Sequence, residues 1–481
     1  MITPSLIAKL REIVGPGALV TDPSELAVYR SDGFTIAAAQ PGAVVFPTST
    51  AQVAQLVKLL GDQKVQIVPR GSGTGLAGGC VGLVDGVIIC TSRMNCILRI
   101  DLENRAAQVQ AGVRNTELSD AVAALPGGAG FHFAPDPSSQ RASTIGGNAA
   151  TNAGGIHTLK DFVSSNHVLG LEIVLADGTV LNVGGQNGCC EAGPYDLPGL
   201  FCGSEGTLGI ITSLWVRLSA RPGAFRTVVG VFASSADASA TVADVIAAGI
   251  LPTAMEMLDG QMVRVVEQAF GLGLPAGAEA LILTEIEGVE QLLDAPLQTL
   301  VEIHRRHNAM SIQSSGDAQT RAQLWKARKG AFGAIGRISH SYCTQDACIP
   351  RSKLTDVLAR IDEIGREHGM IITNVFHAGD GNVHPIFLYD DRDPAAVANT
   401  LAAAAKVLKY CVDVGGTITG EHGVGVEKIH LMGYQFDEPT MRLFHRIKQA
   451  LDPQERLNAG KMIPSQRMPF SLLKPGRHVP Q

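Results

Sequence analysis

The stretch that most constrains the fold is residues 374–386, NVFHAGDGNVHPI, because its pattern predicts an antiparallel pair of strands. Two short apolar arms flank residues 379–382, Gly-Asp-Gly-Asn, which favour a tight turn. Folding the chain about the centre of this turn predicts that His377 lies opposite His384. Directly opposed residues have Cβ atoms about 5 Å apart, so two imidazoles could bind one ion at about 2.0–2.1 Å from each nitrogen.

A second stretch, residues 415–425 (GGTITGEHGVG), offers a third ligand. Glu421 and His422 lie between glycines, which allow the backbone to come close to a ligand. Two histidines and a carboxylate are a recognised set for a catalytic divalent ion, and His422 would then remain as a general base. The spacing equally allows a hydrogen-bonded pair of histidines within a sheet, with Glu421 and His422 in an ordinary polar turn.

Composition limits the class of protein. Charged residues make up 17% of the 481 residues, below the roughly 25% of average proteins, and hydrophobic residues make up 45%, which predicts an extensive core. A net charge of -6 without a long basic block argues against a nucleic-acid partner. The nine cysteines include no C-x-x-C pair, which predicts reduced thiols in the cytoplasm and no iron-sulfur cluster. Residues 1–15 contain no long apolar run, so we expect neither a signal peptide nor a membrane span.

A glycine-rich loop at residues 69–79, PRGSGTGLAGG, follows a predicted strand. Residues 73–78 satisfy G-x-G-x-x-G, but no helix follows that could bind a pyrophosphate at its N-terminus, so the Rossmann interpretation fails. Successive backbone N–H groups in such a loop can still bind an anion, which predicts a phosphate-binding loop. An ordinary flexible loop is the alternative.

Two further patterns divide the chain. Small and amide residues at 143–155 suit a groove for a flat polar ligand better than a core, although a surface loop would have the same composition. From about Arg221 longer strands alternate with helices, which predicts an antiparallel sheet backed by helices. We therefore predict a first domain over residues 36–220 and a second over residues 221–465, with the active site where the two face each other.

The glycine motifs together carry a resemblance to a known family. Over residues 36–464 the chain resembles the vanillyl-alcohol-oxidase type of FAD flavoproteins, and within it the group of the glycolate oxidase FAD subunit and D-lactate dehydrogenase. The resemblance implies an α+β fold: a two-part FAD-binding domain of the PCMH type, and an antiparallel-sheet substrate (cap) domain whose terminal helices return to the flavin domain. Seven segments, in the family's order, carry it: PRGSGTGLAGG, IGGNAATNAGG, GSEGTLGIIT, WKARKGAF, NVFHAGDGNVHP, TGEHGVGVEKI and LDPQERLNAGKMIP.

The resemblance also implies which residues bind FAD. Relatives that bind flavin covalently use a His or Cys near the phosphate loop or in the cap domain; residues 70–79 contain neither, so we expect dissociable FAD. The pyrophosphate is expected on Arg70, Gly71, Ser72, Gly73, Thr74 and Gly75, and the rest of the cofactor on Pro135, Asp136, Thr144, Gly147, Asn148, Asn152, Gly154, Gly155, Glu205, Gly206, Ile211 and Asn458.

In the second domain the resemblance implies a catalytic set. His377, His384 and Glu421 match positions that hold a divalent metal, here expected to be Zn or Mn, and His422 matches the base. Arg328 matches the arginine that binds the substrate carboxylate. Its position three residues after Trp325 would place both on one helix face. Without the resemblance, Arg328 would be interpreted as a solvated charge on a helix.

The expected activity is oxidation of a small D-2-hydroxy acid, glycolate or D-lactate, to the 2-keto acid. Relatives that act on longer dicarboxylic hydroxy acids carry an extra Lys and an Asn where this chain has Thr344 and Ile386, which favours a monocarboxylate over 2-hydroxyglutarate. The Tyr-Gly pair common in relatives is replaced by Asp161-Phe162, so the loop there is expected to differ in shape. D-2-hydroxyglutarate dehydrogenase remains an alternative.

Two other classes stay open from the residues alone. A metallohydrolase could use the same metal set, and a non-catalytic flavin subunit could use the same glycine loops. If the chain is the expected dehydrogenase, its electrons would pass to an iron-sulfur or flavin partner subunit. We further expect a homodimer in the cytoplasm that associates with membranes only through partners.

Overall fold

A computed structural model of the chain describes residues 2–185, 189 and 193–465. Within them the chain forms two compact units. Unit 1 contains residues 2–155, 163–221 without the undescribed positions, and 421–465, and unit 2 contains residues 156–162 and 222–420. The division at residues 36–220 and 221–465 stays a prediction; unit 1 differs from it by taking in both ends of the described chain.

The strands are mostly short in unit 1 and longer in unit 2. They are β1 (Leu19–Val20), β2 (Ala43–Val45), β3 (Ile67–Arg70), β4 (Val87–Cys90), β5 (Ile97–Asp101), β6 (Ala106–Gln110), β7 (Phe131–His132), β8 (Val168–Val174), β9 (Val180–Gly184), β10 (Ile210–Arg217), β11 (Ser219–Ala220), β12 (Ala224–Phe232), β13 (Ala254–Asp259), β14 (Ala280–Gly288), β15 (Ser311–Ser315), β16 (Ser341–Thr344), β17 (Ala347–Cys348), β18 (Ile372–His377) and β19 (Asn382–Tyr389).

Most of the longer helices begin at a side chain that caps the first turn, as Ser49 does for α3 and Asp259 for α9. The α-helices are α1 (Pro4–Val14), α2 (Pro23–Leu26), α3 (Thr50–Asp62), α4 (Asn115–Ala123), α5 (Ile145–Thr151), α6 (Thr158–Asp161), α7 (Leu197–Phe201), α8 (Ser235–Ala247), α9 (Gly260–Phe270), α10 (Asp294–Arg306), α11 (Ala318–Leu324), α12 (Lys326–Ile335), α13 (Leu354–Glu367), α14 (Pro394–Asp413), α15 (Met432–Gln435) and α16 (Glu438–Leu451).

Unit 1 is built on two sheets. The first has the order β1-β2-β4-β3, and β4 pairs in parallel with both β2 and β3. Leu6 and Leu10 of α1 and Val53 and Leu56 of α3 pack into one core with this sheet. The second sheet is antiparallel, with the order β5-β6-β10-β8-β9.

Unit 2 is an antiparallel sheet with the order β15-β12-β14-β13-β18-β19-β16, and β17 pairs with β19. Helices α9 and α12 contact each other and cover one face, whereas α8, α10, α13 and α14 form a contiguous layer on the other. The predicted α+β fold is therefore present, with mixed sheets in one unit and an antiparallel sheet backed by helices in the other.

The face of this sheet under α9 and α12 has an apolar end and a polar end. Leu258, Leu283 and Val375 belong to the core that these helices cover. The strand register places Glu285, Glu256 and His377 on the same face, because residues two apart on a strand share a face and directly paired residues do too. Burial of the apolar end therefore fixes the direction in which the polar side chains point.

The register predicted for the β18–β19 hairpin is wrong. His377 pairs with Asn382, and His384 pairs with Val375, so the two histidines are diagonal neighbours and not directly opposed. The turn is displaced because the Asp380 carboxylate accepts the backbone N–H of Asn382 at 2.9 Å and Gly381 takes a left-handed φ of +84°. A shift of two residues keeps both side chains on one face, so the histidines still meet.

One helix among the described residues, α14, is long and apolar enough to cross a membrane by length and composition. Its buried residues, which include Val397, Leu401, Ala404 and Leu408, recur at helical spacing. They form one stripe, and α14 packs on α13 and β19. The pattern is that of a helix that covers a sheet.

Candidate functional site

The glycine-rich loop that the sequence predicts to bind phosphate lies against the N-terminus of α5 in unit 1. A Cβ atom on Gly71 would come within 2.5 Å of the Thr144 Oγ1 atom, so only glycine allows this approach. Thr144 caps α5 by accepting the N–H of Gly147 at 3.2 Å, and the Ser72 hydroxyl donates to the carbonyl of Ala142. The structure thus brings together four predicted FAD-binding residues from two separate motifs.

Arg70 supports this loop from behind. Its guanidinium is buried and donates from Nη1 to the carbonyl oxygens of Ser31 at 3.0 Å and Cys80 at 3.2 Å. Gly73, with φ of +77°, leaves room for it, since a Cβ there would lie 2.1 Å from an Arg70 nitrogen. The Arg70 side chain therefore holds the loop from within the protein.

Two buried polar atoms near α5 have no protein partner among the described residues. They are the Asn148 Nδ2 and Ser143 Oγ atoms. An unsatisfied buried donor costs about 1–3 kcal/mol, so such atoms indicate a bound polar ligand. Asn152 ends the helix in a left-handed conformation, with φ of +52°. A polar cofactor such as FAD therefore fits this part of unit 1.

The last described segment of unit 1, residues 421–465, is hydrogen-bonded to the glycine-rich loop and to Glu205. The Asn458 Nδ2 atom donates to the carbonyl oxygens of Gly79 at 2.8 Å and Glu205 at 2.7 Å. The Glu205 carboxylate accepts the N–H groups of Val424 at 2.7 Å and Gly425 at 2.8 Å, so it holds the segment that follows His422. Burial raises the pKa of Glu205.

Lys461, which the sequence analysis did not single out, completes this connection. Its ammonium group donates to the carbonyl oxygens of Gly79 at 3.0 Å and Val81 at 2.6 Å and to Asn458 Oδ1 at 2.9 Å. Burial lowers the pKa of Lys461 to about 8. Its place in the NAGKMIP motif, three residues after Asn458, was the available signal, because residues at that separation in a tight turn lie side by side.

The other predicted FAD-binding residues lie in the same unit. A Cβ on Gly155, where φ is +142°, would lie 2.6 Å from the carbonyl oxygen of Asp136, so these two segments are in close contact. The remaining members are partly or fully buried: Thr74 and Gly75 in the loop, Pro135 and Gly154 near α5, Gly206 after Glu205, and Ile211 in β10.

In unit 2 the two histidines of the hairpin are neighbours. The ring centroids of His377 and His384 are 5.1 Å apart, and the rings are nearly perpendicular at 87°. The Nδ1 atom of His377 is 2.7 Å from Glu256 Oε1, and the Nδ1 atom of His384 is 3.8 Å from Asp346 Oδ1. Each imidazole thus has a buried carboxylate on its Nδ1 side, which favours a ligand on the Nε2 side.

Glu256 also binds Arg328. The Arg328 Nε atom donates to Glu256 Oε2 at 2.5 Å, and both side chains are buried. Burial raises the pKa of Glu256, but the charge of Arg328 and the hydrogen bonds from His377 and Arg328 outweigh burial and hold this pKa below its usual value. The carboxylate is therefore ionised at neutral pH, and Arg328 is not the solvated helix charge of the alternative interpretation.

Glu421 and His422 follow a fixed turn. Asp346 accepts the Thr419 hydroxyl at 2.6 Å and the Gly420 N–H at 2.7 Å, so the chain is held up to the residue before Glu421. Glu421 and His422 begin the last segment of unit 1. The metal set of His377, His384 and Glu421, with His422 as base, stays a prediction.

Glu256 and Asp346 were missed by the sequence analysis. Glu256 lies in AMEMLD, a run in which every residue is buried. A single Glu within such an apolar strand was a usable signal, because an ionised carboxylate is buried only where cations or donors satisfy it. Its partners Arg328 and His377, which are 72 and 121 residues away in the sequence, could not be predicted from the sequence.

Comparison with known proteins agrees with this geometry. The model for the C-terminal domain of FAD linked oxidases matches residues 221–462, and the model for an FAD binding domain matches residues 41–184. The chain is 39% identical over 461 residues to the glycolate oxidase subunit GlcD of Escherichia coli K12, covering 96% of this chain and 91% of that protein. It is 32% identical to a D-lactate dehydrogenase of Archaeoglobus fulgidus, covering 89% and 92%.

Solved structures agree on the fold. The 4-ethylphenol oxidase of Gulosibacter chungangensis superposes with a TM-score of 0.78 at 19% identity, covering 96% of this chain and 97% of that one. The predicted resemblance and the predicted FAD cofactor are confirmed, and a metallohydrolase would account for neither matched domain. The chain belongs to the family of FAD-linked oxidases and is an FAD-dependent oxidoreductase.

Proposed function

We propose that this chain oxidises a small D-2-hydroxy acid, such as glycolate or D-lactate, to the corresponding 2-keto acid. The observation that carries the proposal is the state of Arg328. Its Nε atom is committed to Glu256, and within the described residues its two Nη groups have no acceptor. A buried guanidinium with two parallel donors left over suits a carboxylate ligand. The similarity to proteins named glycolate oxidase subunit and D-lactate dehydrogenase supports the same substrate class.

The use of Nε by Glu256 limits how Arg328 can hold a substrate. A carboxylate can then bind only end-on, to Nη1 and Nη2 together. Because the Arg328–Glu256 pair is buried, the guanidinium has few orientations, and binding costs little conformational entropy. The substrate carboxylate would be fixed in one plane, with the hydroxyl-bearing carbon placed beside it.

We assign proton removal to His422 and a metal to His377, His384 and Glu421. A Zn or Mn ion held there would lower the pKa of the substrate hydroxyl. His422 accepts the hydroxyl proton, and the general base is typically worth about 10²–10⁴-fold in rate. FAD, when bound, supplies the acceptor for the hydride that leaves the same carbon.

A monocarboxylate is the expected substrate. Thr344 and Ile386, which stand where a Lys and an Asn would serve a second carboxylate, are directly paired across β16 and β19. Ile386 is fully buried and belongs to the apolar core of unit 2. Neither side chain can neutralise a second negative charge, so 2-hydroxyglutarate would leave one carboxylate unpaired there.

Electrons must then leave the reduced flavin. The nine cysteines include no C-x-x-C pair of the kind that holds an iron-sulfur cluster, so we propose transfer to an iron-sulfur or flavin partner subunit. The name of the Escherichia coli relative, a glycolate oxidase subunit, is consistent with such a partner. We further propose a homodimer in the cytoplasm that reaches membranes only through partners.

Reductive titration tests the substrate. Under anaerobic conditions, glycolate or D-lactate should bleach the flavin absorption of the purified protein, and L-lactate and D-2-hydroxyglutarate should do so far more weakly. A protein that carries FAD but is bleached by no 2-hydroxy acid contradicts the proposal.

The His422→Ala variant tests the base. Turnover should fall by about 10²–10⁴-fold while the protein remains yellow, because FAD binding does not depend on this imidazole. His340→Ala, which removes an exposed histidine, is the matched control and should keep wild-type turnover. Retained turnover in His422→Ala would remove the base assignment.

A further inference from the structure

We propose that Glu256 is a positioning residue that sets both the orientation of Arg328 and the tautomer of His377. This inference rests on the proposed function and extends it to a residue outside the proposed catalytic and metal-binding set. Glu256 is fully buried in β13 and is the direct cross-strand partner of His377. Its two oxygens are divided between two partners, Oε2 for Arg328 and Oε1 for His377.

The chemistry of the three groups fixes the proton positions. An ionised carboxylate only accepts hydrogen bonds, and an Arg Nε–H only donates. Oε1 therefore requires a proton on the Nδ1 atom of His377, at 2.7 Å. In a neutral imidazole the other nitrogen, Nε2, then carries the lone pair, which is the form that binds a cation. One buried carboxylate thus prepares a metal ligand and anchors the carboxylate-binding arginine.

The Glu256→Gln variant separates the effect of Glu256 on Arg328 from its effect on His377. An amide has one acceptor oxygen where the carboxylate had two, so Arg328 and His377 can no longer each donate to an oxygen of their own. The charged guanidinium takes the oxygen because its hydrogen bonds are the stronger ones. The amide NH₂ then faces Nδ1 of His377, which must accept, and the ring proton moves to Nε2. His377 loses the lone pair it would offer to a metal, although the side-chain volume at 256 is unchanged.

The chain offers a matched control on the same face of the sheet. Glu285 is also fully buried, and it binds Arg321 and the Trp325 indole of the adjoining α11–α12 segment, with no histidine. Glu285→Gln removes the same charge with the same change of shape. It should lower stability without altering a histidine tautomer.

The experiment uses the FAD-loaded full chain after removal of metal by chelation. Zn²⁺ and Mn²⁺ are titrated calorimetrically into the wild type, Glu256→Gln, Glu285→Gln and Glu256→Asp. We expect Glu256→Gln to weaken ion binding by about 10–100-fold, the range seen when such supporting carboxylates are lost. Glu285→Gln should remain within about threefold of the wild type, and Glu256→Asp, which restores two acceptor oxygens, should recover part of the loss.

Steady-state kinetics with D-lactate and an artificial electron acceptor measures the effect on Arg328. Glu256→Gln should show a smaller change in KM than in kcat, because Arg328 keeps its acceptor. Equal ion affinities in Glu256→Gln and the wild type, or equal losses in both Gln variants, would overturn the inference.

Failure of the proposed function would look different. If no 2-hydroxy acid bleaches the flavin of the wild type, the substrate assignment is wrong. The ion titration would still measure the effect of Glu256 on ion affinity. A wild type that is bleached by D-lactate but binds neither ion removes the inference and leaves the oxidation in place.

Discussion

Two buried carboxylates on one face of the unit 2 sheet make an instructive pair. In the Glu285 cluster, Glu285 accepts from Nε and Nη2 of Arg321, from the Trp325 indole at 2.9 Å and from the Thr227 hydroxyl at 2.6 Å. In the Glu256 cluster, Glu256 accepts a single hydrogen bond from Arg328 and one from His377. Both clusters pin the same α11–α12 segment to the sheet.

The difference lies in what remains to be bound. The Glu285 carboxylate accepts four hydrogen bonds from three side chains of its own cluster, and its Arg321 partner is one-third exposed, so the cluster contributes to holding the helices. The Glu256 cluster leaves the Nη donors of Arg328 without an acceptor among the described residues. Residues of the same types therefore serve as an anchor in one place and as a prepared site in the other.

The largest expected effect comes from Arg328→Met. Removing the guanidinium should lower kcat/KM for D-lactate by about 10³-fold, or ~4 kcal/mol, because the substrate carboxylate loses its charged partner. Steady-state kinetics measures this loss, and Arg328→Lys should recover only part of it because an ammonium group binds one oxygen at a time. A change below tenfold would show that Arg328 does not bind the substrate.

Arg321→Met is the counterpart in the Glu285 cluster and should act on stability. It leaves a buried carboxylate without its cation, which typically costs about 3–5 kcal/mol. Denaturant unfolding should register this cost, whereas kcat/KM of the folded protein should stay within about threefold of the wild type. A large fall in kcat/KM with unchanged stability would reverse the distinction between the clusters.

Trp325→Phe should have a smaller effect of the same kind. The ring volume is largely kept, but the indole N–H donated to Glu285 is lost, which is worth about 1 kcal/mol. Thermal unfolding should show a modest fall in Tm with the KM for D-lactate unchanged. A raised KM would mean that the Glu285 cluster also shapes the substrate site.

The smallest effect concerns acid stability. Although burial raises the pKa of Glu285, hydrogen bonds from Arg321, Thr227 and Trp325 hold it below its usual value of 4.5. The folded state therefore binds fewer protons than the unfolded state. This contribution to stability is complete above pH 4.5 and is lost as the pH falls through the folded-state pKa. Unfolding free energies measured below pH 4.5, with pH 7 as the reference, should fall less steeply in Glu285→Gln than in the wild type.

Local patterns were sufficient where the cause of structure is local. The glycine loop, the β18–β19 hairpin and the α3 helix follow from turn residues, caps and periodicity within a few positions of the chain. The hairpin register was predicted wrongly, because the Asx turn at Asp380 displaces the pairing by two residues. The prediction that the two histidines are neighbours still held, because a shift of two residues leaves both side chains on the same face of the sheet.

The amino-acid sequence by itself determined the family motifs, the order of elements and the residue types available for chemistry, since each depends on neighbours in the chain. Only the tertiary structure decided that Glu256 joins Arg328 to His377, because strand pairing brings residues 121 positions apart to 2.7 Å. The tertiary structure likewise decided that Glu285 binds Arg321, Trp325 and Thr227 and so helps to hold α11 and α12 on the sheet. Burial removes water as an alternative partner, so the function of each carboxylate is set by the donors that the fold places around it.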